Sequence, residues 1–105
     1  MIIQVNTDKN IPGSDDLQTF LDGLISNQLS HYSSQITRVV VHLSDENGPK
    51  EGANDKRCVL EARIEGRQPI AVINNADNNE KAIAGAVDKL YHSLNKIFGR
   101  MNNHQ

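Results

Sequence analysis

Residues 56–65 alternate between apolar and polar side chains, and this period of two constrains the fold more than any other segment. One side of the pattern carries Cys58, Leu60, Ala62 and Ile64, and the other carries Arg57, Val59, Glu61, Arg63 and Glu65. A strand of this kind must bury its apolar side against other secondary structure, while its polar side can meet water. The segment therefore predicts a sheet that is covered on one face.

The rest of the chain supplies the other layer. The predicted strands are residues 1–6, 36–44, 56–65 and 69–74, and the predicted helices run from about 15 to 32 and from a cap at Asp77 to about residue 100. This order, β-α-β-β-β-α, predicts an α+β fold with a four-stranded, mainly antiparallel sheet and both helices packed on one face. We expect a single domain over residues 1–105, without internal repeats.

Helix boundaries follow from local signals. Ser14 is a good N-cap for the first helix, and Asp77 with Glu80 has the spacing of a capping box for the second. The predicted apolar face of the second helix consists of Ile83, Ala86, Val87, Leu90, Leu94, Ile97, Phe98 and Met101. Residues 45–55 are charged and contain Gly and Pro, so they predict a flexible hairpin loop, and residues 102–105 predict a frayed tail.

The sequence gives no positive support for catalysis. Its four histidines are not paired at helical spacing, and no glycine-rich phosphate loop follows a strand. Cys58, the one cysteine, lies on an apolar strand face and indicates a buried, inert thiol rather than a nucleophile or zinc ligand. We expect no enzyme activity, cofactor, metal or small-molecule substrate. The absence of a signal segment or membrane-length apolar run predicts a cytoplasmic protein that does not bind membranes.

A stripe of basic residues runs along the second helix. With Lys81 at 0°, His92 falls at about 20°, Lys96 at about 60°, Lys89 at about 80° and Arg100 at about 100° on an ideal helix. The stripe covers roughly 30 Å and lies away from the apolar face, so it could follow a phosphate backbone. The alternative is an ordinary solvated helix face, and the overall net charge of −2 favours that alternative.

The polar side of the predicted sheet is a mixed surface. It would carry Arg38, Val40, His42, Arg57, Val59, Glu61 and Arg63. Three interpretations stay open for it: a half-solvated sheet face, a contact between two copies of the chain, or part of an RNA-binding surface.

Several segments resemble the ribosome-hibernation factors, a family also described as ribosome-associated inhibitors or sigma-54 modulation proteins. The similarity covers nearly the whole chain, and it includes residues 38–43, the strand 58–66 and the helical segment 82–90 with its Asp-Lys-Leu sequence, followed by Leu94 and Lys96. The resemblance implies a protein that binds the small (30S) ribosomal subunit and contacts 16S rRNA through basic residues on its two helices. Bound there, it occludes the channel for mRNA and tRNA. It also implies a short form of the family, without the C-terminal domain of longer members.

The resemblance assigns rRNA binding to individual positions. Lys89, Lys96 and Arg100 match basic positions of the family helix, Lys81 adds a cation near its start, and His92 stands where the family carries Arg. Arg57 and Arg63 on the sheet are expected to assist. The first helix departs from the family pattern, because no Lys or Arg occurs between Asn10 and Thr37. The alternative hypothesis is therefore a diverged member that has lost ribosome binding and acts as a protein-interaction or regulatory module, in one form as a homodimer.

Overall fold

A computed structural model of the protein describes residues 1–8, 11, 14–46 and 55–102, with side chains up to Gly99. The strands are β1 (Ile2–Thr7), β2 (Ile36–Asp45), β3 (Lys56–Ile64) and β4 (Ile70–Ala76). The helices are α1 (Asp15–Gln28), α2 (Asn79–Asn102) and a short 3-10 helix (Ser30–Tyr32) between α1 and β2. The predicted element order is confirmed. Most of the predicted hairpin loop (47–54) and the end of the predicted tail (103–105) lie outside the described residues.

The four strands form one sheet in the order β1-β2-β3-β4. The β2–β3 and β3–β4 pairs are antiparallel, which confirms the mainly antiparallel prediction, whereas β1 and β2 are parallel. The parallel pair follows from the connection between these strands, because α1 carries the chain back to the same end of the sheet before β2 begins. The sheet is therefore mixed.

The two helices cover the sheet face that the alternation predicted to be apolar. Buried side chains on this face come from the two central strands, β2 and β3: Val39, Val41, Leu43, Cys58, Leu60 and Ala62. The helices add Leu21 and Ile25 from α1 and Ile83, Ala86, Val87, Leu90 and Leu94 from α2. Each fully buried Val, Leu or Ile side chain contributes about 1.5–3 kcal/mol to folding. This layer accounts for the position of α2 on the sheet.

The opposite sheet face, which we call the outer face, is largely exposed or half-buried, but Val40 on it is buried. Val40 lies on this face, yet only 5% of its surface is exposed. In the sheet it stands between Gln4 of β1 and Glu61 of β3, whose longer side chains flank it. The sequence pattern did not indicate the burial of Val40, because alternation along one strand does not show how neighbouring strands shield a residue.

The predicted first helix is about one turn too long. The α-helix ends at Gln28, and the 3-10 turn that follows brings Tyr32 into the core. The Tyr32 ring stacks on Phe98 of α2 at a centroid distance of 5.4 Å, and its hydroxyl donates to the side-chain oxygen of Asn95. A tighter last turn suits these contacts, so tertiary packing overrides the helical periodicity.

The second helix begins one residue later than predicted. The side-chain oxygen of Asn78, rather than Asp77, accepts a hydrogen bond from the backbone N–H of Lys81 at 2.8 Å. Asn78 is therefore the N-cap. Both residues are good caps by type, so the sequence could not decide between them. Asp77 forms an ion pair with the Lys81 ammonium instead, at 3.5 Å.

Two carboxylates from the ends of the predicted flexible hairpin loop are buried at the end of the β2–β3 pair. The Lys56 ammonium lies 3.2 Å from the Asp45 carboxylate and 3.1 Å from that of Asp55. The hydrogen bond to Asp55 is the largest cause that raises the pKa of Lys56, with Asp45 adding to it against partial desolvation. The ammonium compensates two negative charges that burial would otherwise penalise.

Candidate functional site

The exposed flank of α2 carries Lys81, Lys89, His92 and Lys96, all with solvent-exposed side chains. They are exposed because the apolar residues of α2 point into the sheet and leave the charged positions of the amphipathic helix outside. Arg100 lies in the last turns of the same helix, and its side chain is outside the described residues. We call this set of positions, 81, 89, 92, 96 and 100, the α2 stripe.

Two members of the α2 stripe pair with acidic residues of their own helix region. Lys81 lies 3.5 Å from Asp77, and the His92 Nε2 lies 3.6 Å from the Asp88 carboxylate. The side chains of Lys81 and His92 remain 67% and 64% exposed. Exposed pairs at this spacing are worth well under about 1 kcal/mol, so a stronger anion can replace the carboxylate.

Lys89 makes a contact that the sequence did not indicate. Its ammonium donates to the backbone carbonyl oxygen of Ile73 in β4 at 2.8 Å. The α2 stripe therefore lies beside β4, which is an edge strand of the sheet. Asn74 of the same strand lies against α2 at Gly85. Helical spacing places Lys89 on the stripe but cannot reveal which strand runs beside it, and no local signal could have identified Ile73.

Among the stripe residues whose side chains are described, Lys96 is the most available cation. It is exposed, and it forms no ion pair or hydrogen bond with any residue in the described part of the chain. An unpaired ammonium has three donors directed to water, so an approaching phosphate displaces only solvent and counterions.

Arg57 and Arg63 do not lie with the α2 stripe. Both project from β3 on the outer face, on the side of the sheet opposite the helices. Arg57 lies 3.4 Å from the Glu46 carboxylate, and the Arg63 Nε lies 3.1 Å from that of Glu61. The structure thus divides the sequence-predicted residues between two faces of the domain.

Sequence comparison identifies the family to which the chain belongs. Residues 4–102 match the model of the family described as sigma 54 modulation protein / S30EA ribosomal protein. The chain belongs to this family. Members are ribosome-associated modulation factors, which is not a class of enzymes, and the resemblance inferred from the sequence is confirmed. No curated protein matches the chain by sequence.

Two solved structures share the fold. The crystal structure of the Thermus thermophilus Protein Y N-terminal domain matches with a TM-score of 0.73 and 18% identity, covering 92% of this chain and 99% of that one. A ribosomal subunit interface protein from Coxiella burnetii matches with a TM-score of 0.77 and 16% identity, covering 94% of this chain and 99% of that one. At these identities the similarity establishes the α+β fold of the family.

Within this family fold, α1 carries no positive surface. Its first turn exposes Asp15 and Asp16, and Asp22 accepts a hydrogen bond from the Gln18 amide at 2.9 Å. The sequence contains no Lys or Arg anywhere between Asn10 and Thr37. Among the described residues, α1 therefore adds no cation to the surface, whereas α2, the sheet and Arg67 between β3 and β4 do.

The groups that could support other chemistry are buried or dispersed. Cys58 is fully buried on the helix-covered face, and burial raises the pKa of its thiol to about 12. In the described ranges, no three His, Cys, Asp or Glu side chains come together in a way that could hold a metal ion. No helix within those ranges is long and apolar enough to span a membrane.

Proposed function

We propose that this protein is a hibernation or translation-inhibiting factor that binds the 30S subunit through 16S rRNA and occludes the channel for mRNA and tRNA. The observation that carries the proposal is the α2 stripe, an exposed row of cations in which Lys96 has no partner among the described residues. The structural similarity to the ribosomal subunit interface protein from Coxiella burnetii supports the same assignment. The proposed site of action is the cytoplasm, where ribosomes work.

The mechanism is steric and needs no covalent step. Lys81, Lys89 and Lys96 would each neutralise an rRNA phosphate and release a condensed counterion. His92 adds a further positive charge only when its imidazole is protonated. A folded domain held in the channel then excludes mRNA and tRNA sterically, because its interior is close-packed and leaves no space for them.

The test measures binding to purified small subunits by co-sedimentation over a series of salt concentrations. The double variant Lys81→Gln with Lys96→Gln removes two cations from the α2 stripe. The matched control, Thr19→Glu with Ser26→Glu, lowers the net charge by the same two units at exposed positions of α1. We expect the first variant to flatten the plot of log K against log salt by about 1.4–1.8, at about 0.7–0.9 for each lost phosphate contact.

The control variant is expected to keep the wild-type slope. Equal losses in both variants would show that only the net charge matters and would remove the α2 stripe from the proposal. Failure of the wild-type protein to sediment with small subunits at low salt would overturn the proposed function.

A second function is favoured by one observation, the acidic surface of α1 on a chain with a net charge of −2. This second candidate is a regulatory module that contacts another protein, or a second copy of itself, instead of the ribosome. It predicts no salt-dependent sedimentation with subunits, and it predicts a concentration-dependent change in mass by analytical ultracentrifugation if the partner is a second copy.

A further inference from the structure

The outer face contains two arginines directly opposite each other in the two central strands. Arg38 of β2 is the register partner of Arg63 of β3. A β-bulge between Ile36 and Arg38 creates this pairing, because Thr37 and Arg38 together oppose a single residue of β3. The Thr37 hydroxyl donates to the Arg63 carbonyl oxygen at 3.1 Å and holds the bulge in place.

Only one of the two arginines has an ion-pair partner among the described residues. Glu61 pairs with Arg63, but Arg38 donates at 2.7 Å to the neutral side-chain oxygen of Gln4. Among residues 1–8, 11, 14–46 and 55–102, no carboxylate forms an ion pair with Arg38. Like charges directly opposite in an antiparallel pair are unfavourable. Glu61 offsets the charge of Arg63, whereas the charge of Arg38 has no ion-pair partner among the described residues and is available to a bound anion.

The chemistry of the outer face favours a phosphate backbone over bases. None of the Phe and Tyr residues of the chain lies in a strand, so the face offers little for stacking beyond the His42 ring. Each guanidinium group can bind phosphate oxygens through paired N–H donors. The Arg63 side chain is 58% exposed, which leaves it accessible to such a ligand.

We propose that Arg38 and Arg63 form a second phosphate-binding site for rRNA, on the face opposite the α2 stripe. This inference rests on the proposed function and extends it, because RNA would then contact both layers of the domain. A domain held from two sides resists displacement by mRNA or tRNA better than one attached along a single helix, since both contacts must open for release.

The experiment compares two double variants. The first combines Arg38→Gln and Arg63→Gln, and the control combines Thr19→Glu and Ser26→Glu, which changes the net charge equally. Binding to purified small subunits is measured by sedimentation across salt concentrations, and melting temperatures are recorded for the free proteins. We expect the arginine variant to flatten the slope of log K against log salt by about 1.4–1.8. Its melting temperature should not fall by more than that of the control.

Each outcome decides a different statement. An unchanged slope in the arginine variant, with a flattened slope in the variant of Lys81 and Lys96, leaves the proposed function intact and overturns the second site. Weaker binding with an unchanged slope would indicate that the arginines contact a ribosomal protein, which also overturns a phosphate site. Absence of wild-type binding removes both proposals.

Discussion

The side chain of Asn74 occupies the space where a Cβ atom of Gly85 would lie. A Cβ built on Gly85 would be 2.1 Å from the Asn74 Nδ2, which donates to the carbonyl oxygens of Lys81 and Ala82 at 3.3 and 3.2 Å. The absence of a side chain at Gly85 thus lets β4 bind the first turns of α2 directly. A glycine within a helix otherwise costs about 0.5–1 kcal/mol relative to alanine.

We predict opposite effects for two Gly→Ala substitutions. Gly85→Ala displaces Asn74 and loses both hydrogen bonds, worth about 1 kcal/mol each, which outweighs the gain in helix propensity. Gly23→Ala in α1, where nothing lies within 4 Å of the added Cβ, should stabilise by about 0.5–1 kcal/mol. Urea unfolding measures both. In an Asn74→Ala background, Gly85→Ala should become stabilising, and no such reversal would appear if Asn74 were not the obstacle.

We predict that the protein loses stability at alkaline pH, where Lys56 is deprotonated. Its pKa in the folded protein is raised above 10.5, so its contribution is fully present below pH 10.5 and is lost as the pH rises through the folded value. Lys56→Arg keeps its charge throughout this range. The free energy of unfolding should therefore fall more in the wild type than in Lys56→Arg as the pH rises above 10.5. Equal decreases would contradict a role for the ammonium between Asp45 and Asp55.

Cys58 is expected to resist alkylation in the folded protein. Its thiol is buried, and its raised pKa of about 12 keeps it protonated at pH 8, whereas the thiolate is the reactive form. Ser34→Cys places a second thiol at an exposed turn position as an internal control. Mass spectrometry after iodoacetamide treatment should show one rapid label and a second label that appears only in denaturant. Rapid double labelling without denaturant would mean that β3 opens easily.

Lys89 is predicted to have a structural role that Lys96 lacks. Lys89→Met removes the hydrogen bond to the Ile73 carbonyl and should reduce the free energy of unfolding by about 0.5–1.5 kcal/mol. Lys96→Met removes no contact within the described residues and should change stability by less than about 0.5 kcal/mol. Thermal unfolding compares the two. Identical melting temperatures would show that the contact with β4 contributes nothing measurable.

The alternation in β2 and β3 and the apolar face of α2 were sufficient to predict the element order and the covered face of the sheet. These features depend on local periodicity, which a single sequence contains. The contact between Lys89 and Ile73 depends on which strand lies beside α2, and the opposition of Arg38 and Arg63 depends on a bulge at Thr37. Neither leaves a periodic signal, so the sequence identified basic residues but not their grouping into surfaces.

The separation of charge between the helices has a consequence for association kinetics. With aspartates on α1 and cations on α2, the protein carries an electric dipole in addition to its small net charge. In the field of a polyanion, such a dipole experiences a torque that turns α2 forward and α1 away before any contact forms. Productive encounters should therefore be pre-oriented, and raising the ionic strength should slow capture even when the final complex survives.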